Sequence, residues 1–425
     1  MKRKFIQYIL KYLAKLILWR YKPLIIGVTG SVGKTSTKEA IYTVLRKKFR
    51  VERNVFNLNT EIGMPLTIIR GKNAKRNIFI WFYNFFHTFW LFIFKTKKYP
   101  EILVLEMSED APGMIKYLVD LAGPKIGVIT TIGDPPVHLE YYKDIDELIN
   151  EISYLPQSLS LNDSIISNEM RNKVPSSATR GVLILNADNE LVVNFKDKTV
   201  AKFLSYGFSE NSDVRITEYR LINTEDLEKI GMNFRLESSG SFVPVKLEGV
   251  FGKGQIYALA AAAAVGLSLN MNLIEISEAM KDYKIVNGRT KFMRGINDAW
   301  ILDDSYNACP DSVRVALDLF KEIPARRKIV ILGDMKELGV NSNQAHIDIG
   351  KDIANLAQVF IAVGEEMVSA KKIIDDEYSD IETFWFKDSE EAKLSIKEMM
   401  EKGDLVLIKG SRAMEMEKIT EVLKA

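Results

Sequence analysis

Ile25-Ile26-Gly27-Val28-Thr29-Gly30-Ser31-Val32-Gly33-Lys34-Thr35-Ser36 decides how this chain is read. An apolar run ends in a glycine-rich turn, then Gly-Lys-Thr, then a helix-like segment from Lys38 to Leu45. Strand, turn and helix in that order let backbone N–H groups close on phosphate oxygens. The lysine ammonium reaches terminal phosphates, and a threonine hydroxyl can ligate Mg²⁺. Gly30, Ser31, Gly33, Lys34, Thr35 and Ser36 are therefore candidate nucleotide-binding positions. The first glycine of the common phosphate loop would stand at 28, where the chain has Val28.

The 425 residues suffice for two or three domains, and 47% hydrophobic with 27% charged content is ordinary for a globular protein. The 58 basic residues are matched by 56 acidic ones, which argues against a nucleic-acid partner. A lone cysteine, Cys309, excludes an internal disulfide and a cysteine-rich zinc site. The N-terminal apolar segment is broken by lysines and has no small-residue cleavage site, so the expectation is a cytoplasmic body.

Residues 1–22 carry seven basic and no acidic side chains. At 100° per residue Lys4, Lys11, Lys15 and Lys22 form one stripe, with Ile9, Leu13, Leu16 and Ile17 broadly opposite. A basic amphipathic helix of this kind can lie on an anionic bilayer. Residues 78–94 lack Asp, Glu, Lys and Arg, are rich in Phe and Trp, and are flanked by lysines. That run is at the short edge of a membrane span; the alternatives are a helix packed on the domain, a buried hairpin or homo-oligomer contact, and peripheral membrane contact.

Short apolar runs alternate with helical segments, which predicts an α/β fold. Strands are expected at 24–28, 102–106, 126–130 and 182–185, and again at 299–303, 328–332, 359–363 and 405–408. Residues 162–180 read as a polar excursion and 200–250 as short strands decorating the sheet, before an alanine-rich helix from Ala258 to Leu269. The expected plan is a basic helix (1–22), then a central domain (23–285) with a mostly parallel sheet, the phosphate loop and an apolar insertion at 77–99. A smaller Rossmann-like C-terminal domain (286–425) follows.

Glu106 ends an apolar strand, where a doubly wound sheet lines its ligand crevice, so it can hold Mg²⁺. His138, one of three histidines, follows a Gly/Pro-shaped loop and is a second candidate metal ligand. Asp303 and Asp304 close another strand, and Asp311 is an expected helix N-cap.

Together these pieces resemble the Mur ligase superfamily, nearest its dipeptide-adding, MurF-type branch. The resemblance runs from about 23 to 425. It rests on the phosphate loop with Gly27 and Gly30, on Asn57–Leu66, Asn186-Ala187-Asp188, Asn287-Gly288-Arg289, Asp303–Asp311, Leu332–Gly339 and Lys409-Gly410-Ser411-Arg412. It implies an ATP- and Mg²⁺-dependent ligase of cell-wall peptide synthesis. A substrate carboxylate would be phosphorylated by ATP, and the resulting acyl phosphate captured by the amine of an amino acid or dipeptide. By resemblance Lys34 holds the β/γ-phosphates, Thr35 and Glu106 one Mg²⁺, and His138 a second. Arg289 reaches the γ-phosphate from the hinge and Asp304 the ribose, while Lys409, Ser411 and Arg412 receive the incoming carboxylate.

Three departures bear on the substrate. The family's UDP-gripping N-terminal domain has no counterpart here, since 22 residues precede the central domain. The carbamylated lysine of many relatives has no equivalent in 148–154, where Glu151 is the candidate replacement. The His-Asn pair that helps place adenine is replaced by Gly254-Gln255, leaving Gln255 as the candidate contact. A pseudomurein ligase, an enzyme acting on a lipid-linked acceptor, and a non-catalytic ATP-binding membrane scaffold are the alternatives these departures admit.

Overall fold

The computed structural model describes residues 2–55, 58–74, 77–134, 136, 138–161, 167–222 and 225–425. Two sheets organise the chain. The first contains β1 (Leu24–Thr29), β2 (Val51–Arg53), β3 (Ile102–Glu106), β4 (Ile126–Ile129), β5 (Val182–Asn186), β6 (Lys202–Gly207), β7 (Val214–Ile222), β8 (Gly231–Ser238) and β9 (Ser241–Glu248). Their spatial order is β2-β3-β1-β4-β5-β6-β7-β8-β9. Pairing is parallel as far as β7 and antiparallel from β7 to β9. The 200–250 segment is thus the far half of the same sheet rather than decoration.

Helices cover both faces: α1 (Lys2–Tyr21), α2 (Lys34–Leu45), α3 (Gly63–Ile68), α4 (Ile78–Ile93), α5 (Met114–Ala122), α6 (Ile145–Leu161), α7 (Asn168–Arg171), α8 (Ser176–Arg180), α9 (Glu190–Val193) and α10 (Lys253–Ser268). Every residue of β1 is buried. Leu24, Ile26 and Val28 point into one core with α2 and α10, while Ile25 points into the other with α1, α5 and α6. A strand buried on both faces reads as an unbroken apolar run, which is why it was visible in the sequence. Six alanines on α10 let it approach α2 closely. The supposed polar excursion is core as well, because Met170, Val174 and Ala178 are buried; 162–166 lie outside the described residues.

The second sheet contains β10 (Lys291–Arg294), β11 (Trp300–Asp304), β12 (Lys328–Gly333), β13 (Val359–Val363), β14 (Glu382–Phe386) and β15 (Leu405–Lys409), ordered β10-β11-β15-β12-β13-β14. Only β10 is antiparallel to its neighbour. The helix Pro310–Glu322 is capped by Cys309, whose N–H donates to Ser312 Oγ (2.9 Å). Asp311 is inside the helix, not its cap, and accepts from the Asp134 N–H across to the first unit (3.0 Å).

The N-terminal helix and the apolar insertion differ most from expectation. Helix α1 docks on the first unit through Leu10, Ala14, Ile17 and Tyr21. Its outward face is an aromatic stripe of Phe5, Tyr8, Tyr12 and Trp19. Helix α4 is inverted: it buries Asn84 and Thr88 with Leu91, and exposes most of its aromatic side chains. Asn84 is held by Lys72, accepting from its N–H and donating to its carbonyl, both at 2.8 Å. Among the described residues no helix is long and apolar enough to cross a membrane.

Candidate active site

The phosphate loop leaves the C-terminal end of β1, between β3 and β4, where the strand order reverses and a crevice opens. Ser31 and Val32 donate their N–H groups to the Thr131 carbonyl (2.7 and 3.1 Å), which fixes the loop on the end of β4. Gly30 has φ 125°, and a Cβ there would stand 2.4 Å from Thr130 Oγ1. Gly33, at φ 88°, precedes α2, and no side chain caps that helix. The first-turn N–H groups of Lys34, Thr35 and Ser36 therefore lack an intrahelical partner, as an anion site requires. The Ser31 hydroxyl is buried with no hydrogen-bond partner among the described residues. An uncapped helix start, a glycine cradle and an orphaned hydroxyl fit the phosphates of a nucleotide.

Side chains converge on this loop. Lys34 Nζ donates to the Gly30 carbonyl (2.5 Å) and to Glu109 Oε1 (2.7 Å). Thr35 Oγ1 donates to Glu106 Oε1 at 3.2 Å, and Asn59 Nδ2 reaches the same oxygen at 3.3 Å. Glu106 Oε2 meets the fully buried Lys38 ammonium at 3.2 Å. Glu109 and Lys38 were missed in the sequence, although each carries a positional signal. Glu109 follows Glu106 by three residues beyond a strand end, and Lys38 follows Lys34 by one helical turn. Among the described residues no three His, Cys, Asp or Glu side chains form a ready-made metal cage. The Thr35–Glu106 pair nonetheless suits Mg²⁺, which takes one or two protein oxygens and completes its shell with phosphates and water.

His138 lies at the edge of the crevice at φ 65°, in the left-handed region that histidine enters more readily than most non-glycine residues. Its Nε2 is 3.3 Å from Asp110 Oδ1 and its Nδ1 is 2.5 Å from Glu337 Oε2. Burial opposes charge on the imidazole, but contact with Glu337 and the field of Glu109 outweigh it, and the pKa is raised above 6.5. The same contact holds Glu337 below the usual carboxylate range. Tyr141 also donates to Glu337 (3.3 Å), so this carboxylate of the second unit grips the loop that carries His138. Pro135 and Val137 of that loop lie outside the described residues.

Five further candidate residues are paired within the chain: Glu151, Asp304, Lys409, Ser411 and Gln255. Glu151 accepts from the N–H groups of Gly113 (2.9 Å), Ile115 (2.7 Å) and Lys116 (3.2 Å), so both its oxygens cap the start of α5. Asp304 sits opposite Lys409 in the β11–β15 register, and Lys409 Nζ donates to Asp304 Oδ2 at 2.6 Å and to the Asn307 carbonyl at 2.8 Å. The Lys409 side chain is 2% exposed, and Asp304 Oδ1 accepts from the Thr290 N–H at 2.9 Å. Ser411 is buried as well, donating to the Ala308 carbonyl and accepting from the Lys336 N–H. Gln255 accepts from Tyr283 (2.6 Å) and donates to the Arg289 carbonyl (3.4 Å), which ties α10 to the hinge. Ser36 contacts the same Tyr283.

Arg289 and Arg412 remain suited to an anion. The Arg289 guanidinium lies 4.1 Å from the Tyr306 ring centroid, and its Nε is buried without a hydrogen-bond partner among the described residues. Arg412, half exposed, lies 5.6 Å from the same centroid and pairs with Glu417.

A parallel sheet with a phosphate loop at its switch point, followed by a second α/β unit, is the architecture of a two-unit nucleotide-binding fold. The Mur ligase middle domain matches residues 28–81 and 87–266, and the Mur ligase glutamate ligase domain matches 288–412. The chain belongs to the Mur ligase family. It is 27% identical over 427 residues to the UDP-N-acetylmuramoyl-tripeptide–D-alanyl-D-alanine ligase of Bacillus subtilis, covering 97% of this chain and 79% of that protein. The Rickettsia prowazekii protein of the same name is 25% identical over 94% of this chain and 78% of its own length. The MurF ligase of Thermotoga maritima in complex with ADP superposes with a TM-score of 0.74 at 24% identity, over 98% of this chain and 83% of that one. A pseudomurein peptide ligase type C from Methanothermus fervidus shares the fold at a TM-score of 0.62 and 18% identity, over 95% and 80% of the two chains.

Proposed function

We propose that this chain is an ATP-dependent ligase forming an amide bond between a carboxylate on a cell-wall precursor and the amine of an amino acid or dipeptide. The reading places it in peptidoglycan-type peptide synthesis, on the cytoplasmic side and at the inner face of the membrane. The observation that carries it is the grouping of Lys34, Thr35 and Glu106 on the phosphate loop, in a chain whose relatives bear the name of that reaction over nearly its whole length.

Bound ATP would supply the phosphoryl group, and Mg²⁺ the positive charge that offsets it. Lys34 would leave the Gly30 carbonyl and Glu109 to meet phosphate oxygens, its ammonium already within the loop. Thr35 and Glu106 would present hydroxyl and carboxylate oxygens to the metal, with Asn59 and Lys38 holding Glu106 in place. Arg289 would bring a guanidinium from the hinge to the transferring phosphoryl group. His138 would present an imidazole nitrogen to a second Mg²⁺ once Glu337 releases it, and Arg412 would take the carboxylate of the incoming nucleophile by a bidentate contact.

The test is phosphate release from MgATP with candidate precursors and amines added singly and together. Release only with both partners supports the ligase and names its substrates. Lys34→Ala should abolish release while the circular dichroism spectrum is retained. Undiminished turnover in that variant would place the phosphate site elsewhere.

A further inference from the structure

Helices α1 and α4 lie against each other: Tyr21 Oη donates to the Leu91 carbonyl (2.8 Å) and Arg20 Nε to the Phe92 carbonyl (3.0 Å). The face they present to solvent is unusual for a soluble surface. Phe5, Tyr8, Tyr12 and Trp19 follow an i, i+3, i+7, i+14 spacing, opposite the buried face of α1. On α4, Phe79 is 79% exposed, Phe86 66% and Phe89 56%. A soluble helix turns its apolar side inward; α4 buries its Asn and Thr and leaves Phe and Trp in water. An apolar groove of about 330 Å³ runs between the two helices, lined by Phe5, Ile9, Trp81 and Phe85 among others.

Charge selects the occupant. Residues 1–22 and 62–100 together hold 14 of the 58 basic residues and none of the 56 acidic ones. The remainder therefore carries 44 basic against 56 acidic residues. The aromatic face thus sits inside a cationic island on an otherwise acidic body. Lys72, Lys95, Lys97 and Lys98 are exposed around α4, and Lys4 and Lys15 on α1. Two copies meeting through this face would oppose like charges. An anionic lipid surface supplies both an apolar layer for the rings and counter-charge for the lysines.

We infer that α1 and α4 form a monotopic docking surface that seats the protein on an anionic bilayer, with the rings entering the acyl boundary and the lysines at headgroup level. Neither helix spans. Helix α4 has 16 residues, about 24 Å at 1.5 Å per residue, which is less than the hydrocarbon core. The inference deepens the inner-face placement proposed above and does not depend on the ligase chemistry.

The experiment is flotation of the full chain with phosphatidylcholine vesicles, with and without about one-third phosphatidylglycerol, at low and high salt. The chain should float with the anionic vesicles only, and less at high salt. The variant Phe79→Ser/Phe86→Ser/Phe89→Ser should lose at least about tenfold in partitioning while keeping its urea midpoint and MgATP-dependent phosphate release in solution. Lys95→Gln/Lys97→Gln/Lys98→Gln should weaken binding and flatten its salt dependence. Absence of binding to either vesicle, or binding untouched by the triple Phe variant, overturns the inference. So does a stable oligomer in sedimentation that the triple Phe variant dissolves, which would make the face an interface between copies. Loss of phosphate release with flotation intact would count against the ligase reading alone.

Discussion

Replacing Lys409 by methionine should unfold the C-terminal unit at markedly lower denaturant while leaving the nucleotide site of the first unit intact. The ammonium is 2% exposed and the Asp304 side chain 10%, and they are direct cross-strand neighbours on β15 and β11. Removing one member strands the other carboxylate in the interior, a loss of about 3–5 kcal/mol for a pair this buried. With a urea slope of about 2 kcal/mol/M, the midpoint should fall by roughly 1.5–2.5 M. Trp300 begins the strand that carries Asp304, so its fluorescence reports this unit once the other four tryptophans are replaced by phenylalanine. The double variant Asp304→Asn/Lys409→Met removes both charges and should recover at least half of the loss, because the energy resides in the unpaired ion. An unchanged midpoint with a raised KM for the amine substrate would refute the reasoning and restore Lys409 as a substrate ligand.

Glu151→Ala should cost about 1–3 kcal/mol, through loss of three N–H acceptances at the start of α5, and leave the Mg²⁺ dependence of turnover unaltered. A weakened Mg²⁺ response at unchanged stability would reverse that assignment. Burial opposes charge on Glu101, but the Arg50 N–H and the Lys173 ammonium more than compensate, and its pKa lies below 4.5. Its stabilisation is present above 4.5 and is lost as pH falls through the lowered value, so Glu101→Gln should be less stable at neutral pH and converge with the parent in acid. Convergence absent from urea titrations across that range would mean that the pairing is not the source. Gly30→Ala should abolish nucleotide binding measured by calorimetry, since its Cβ would meet Thr130 Oγ1 at 2.4 Å on a backbone at φ 125°. Retained binding would show that the loop can be rebuilt without this turn.

The strands that carry the site were legible because each is buried on both faces and reads as an apolar run with a polar residue at its end. Glu106 and Asp304 were found in this way. Partnership was not legible. Asp304 and Lys409 are 105 positions apart, and only the insertion of β15 between β11 and β12 makes them neighbours. Glu151 looked available because a carboxylate in a helix gives no hint that the start of another helix will claim both its oxygens. On α1 the lysine stripe was recognised, but the aromatic stripe beside it went unseen. Its significance lies in which face the domain buries, and Leu10, Ala14 and Ile17 settle that only through contacts with the rest of the fold.

Tyr306 has a consequence for selectivity. Its ring lies beneath two guanidinium groups, one from the hinge at Arg289 and one from the loop after β15 at Arg412. One aromatic ring thus holds two cations from stretches more than a hundred residues apart in sequence. In the reading proposed above, the distance between the two guanidiniums would select substrates whose two anionic groups match it.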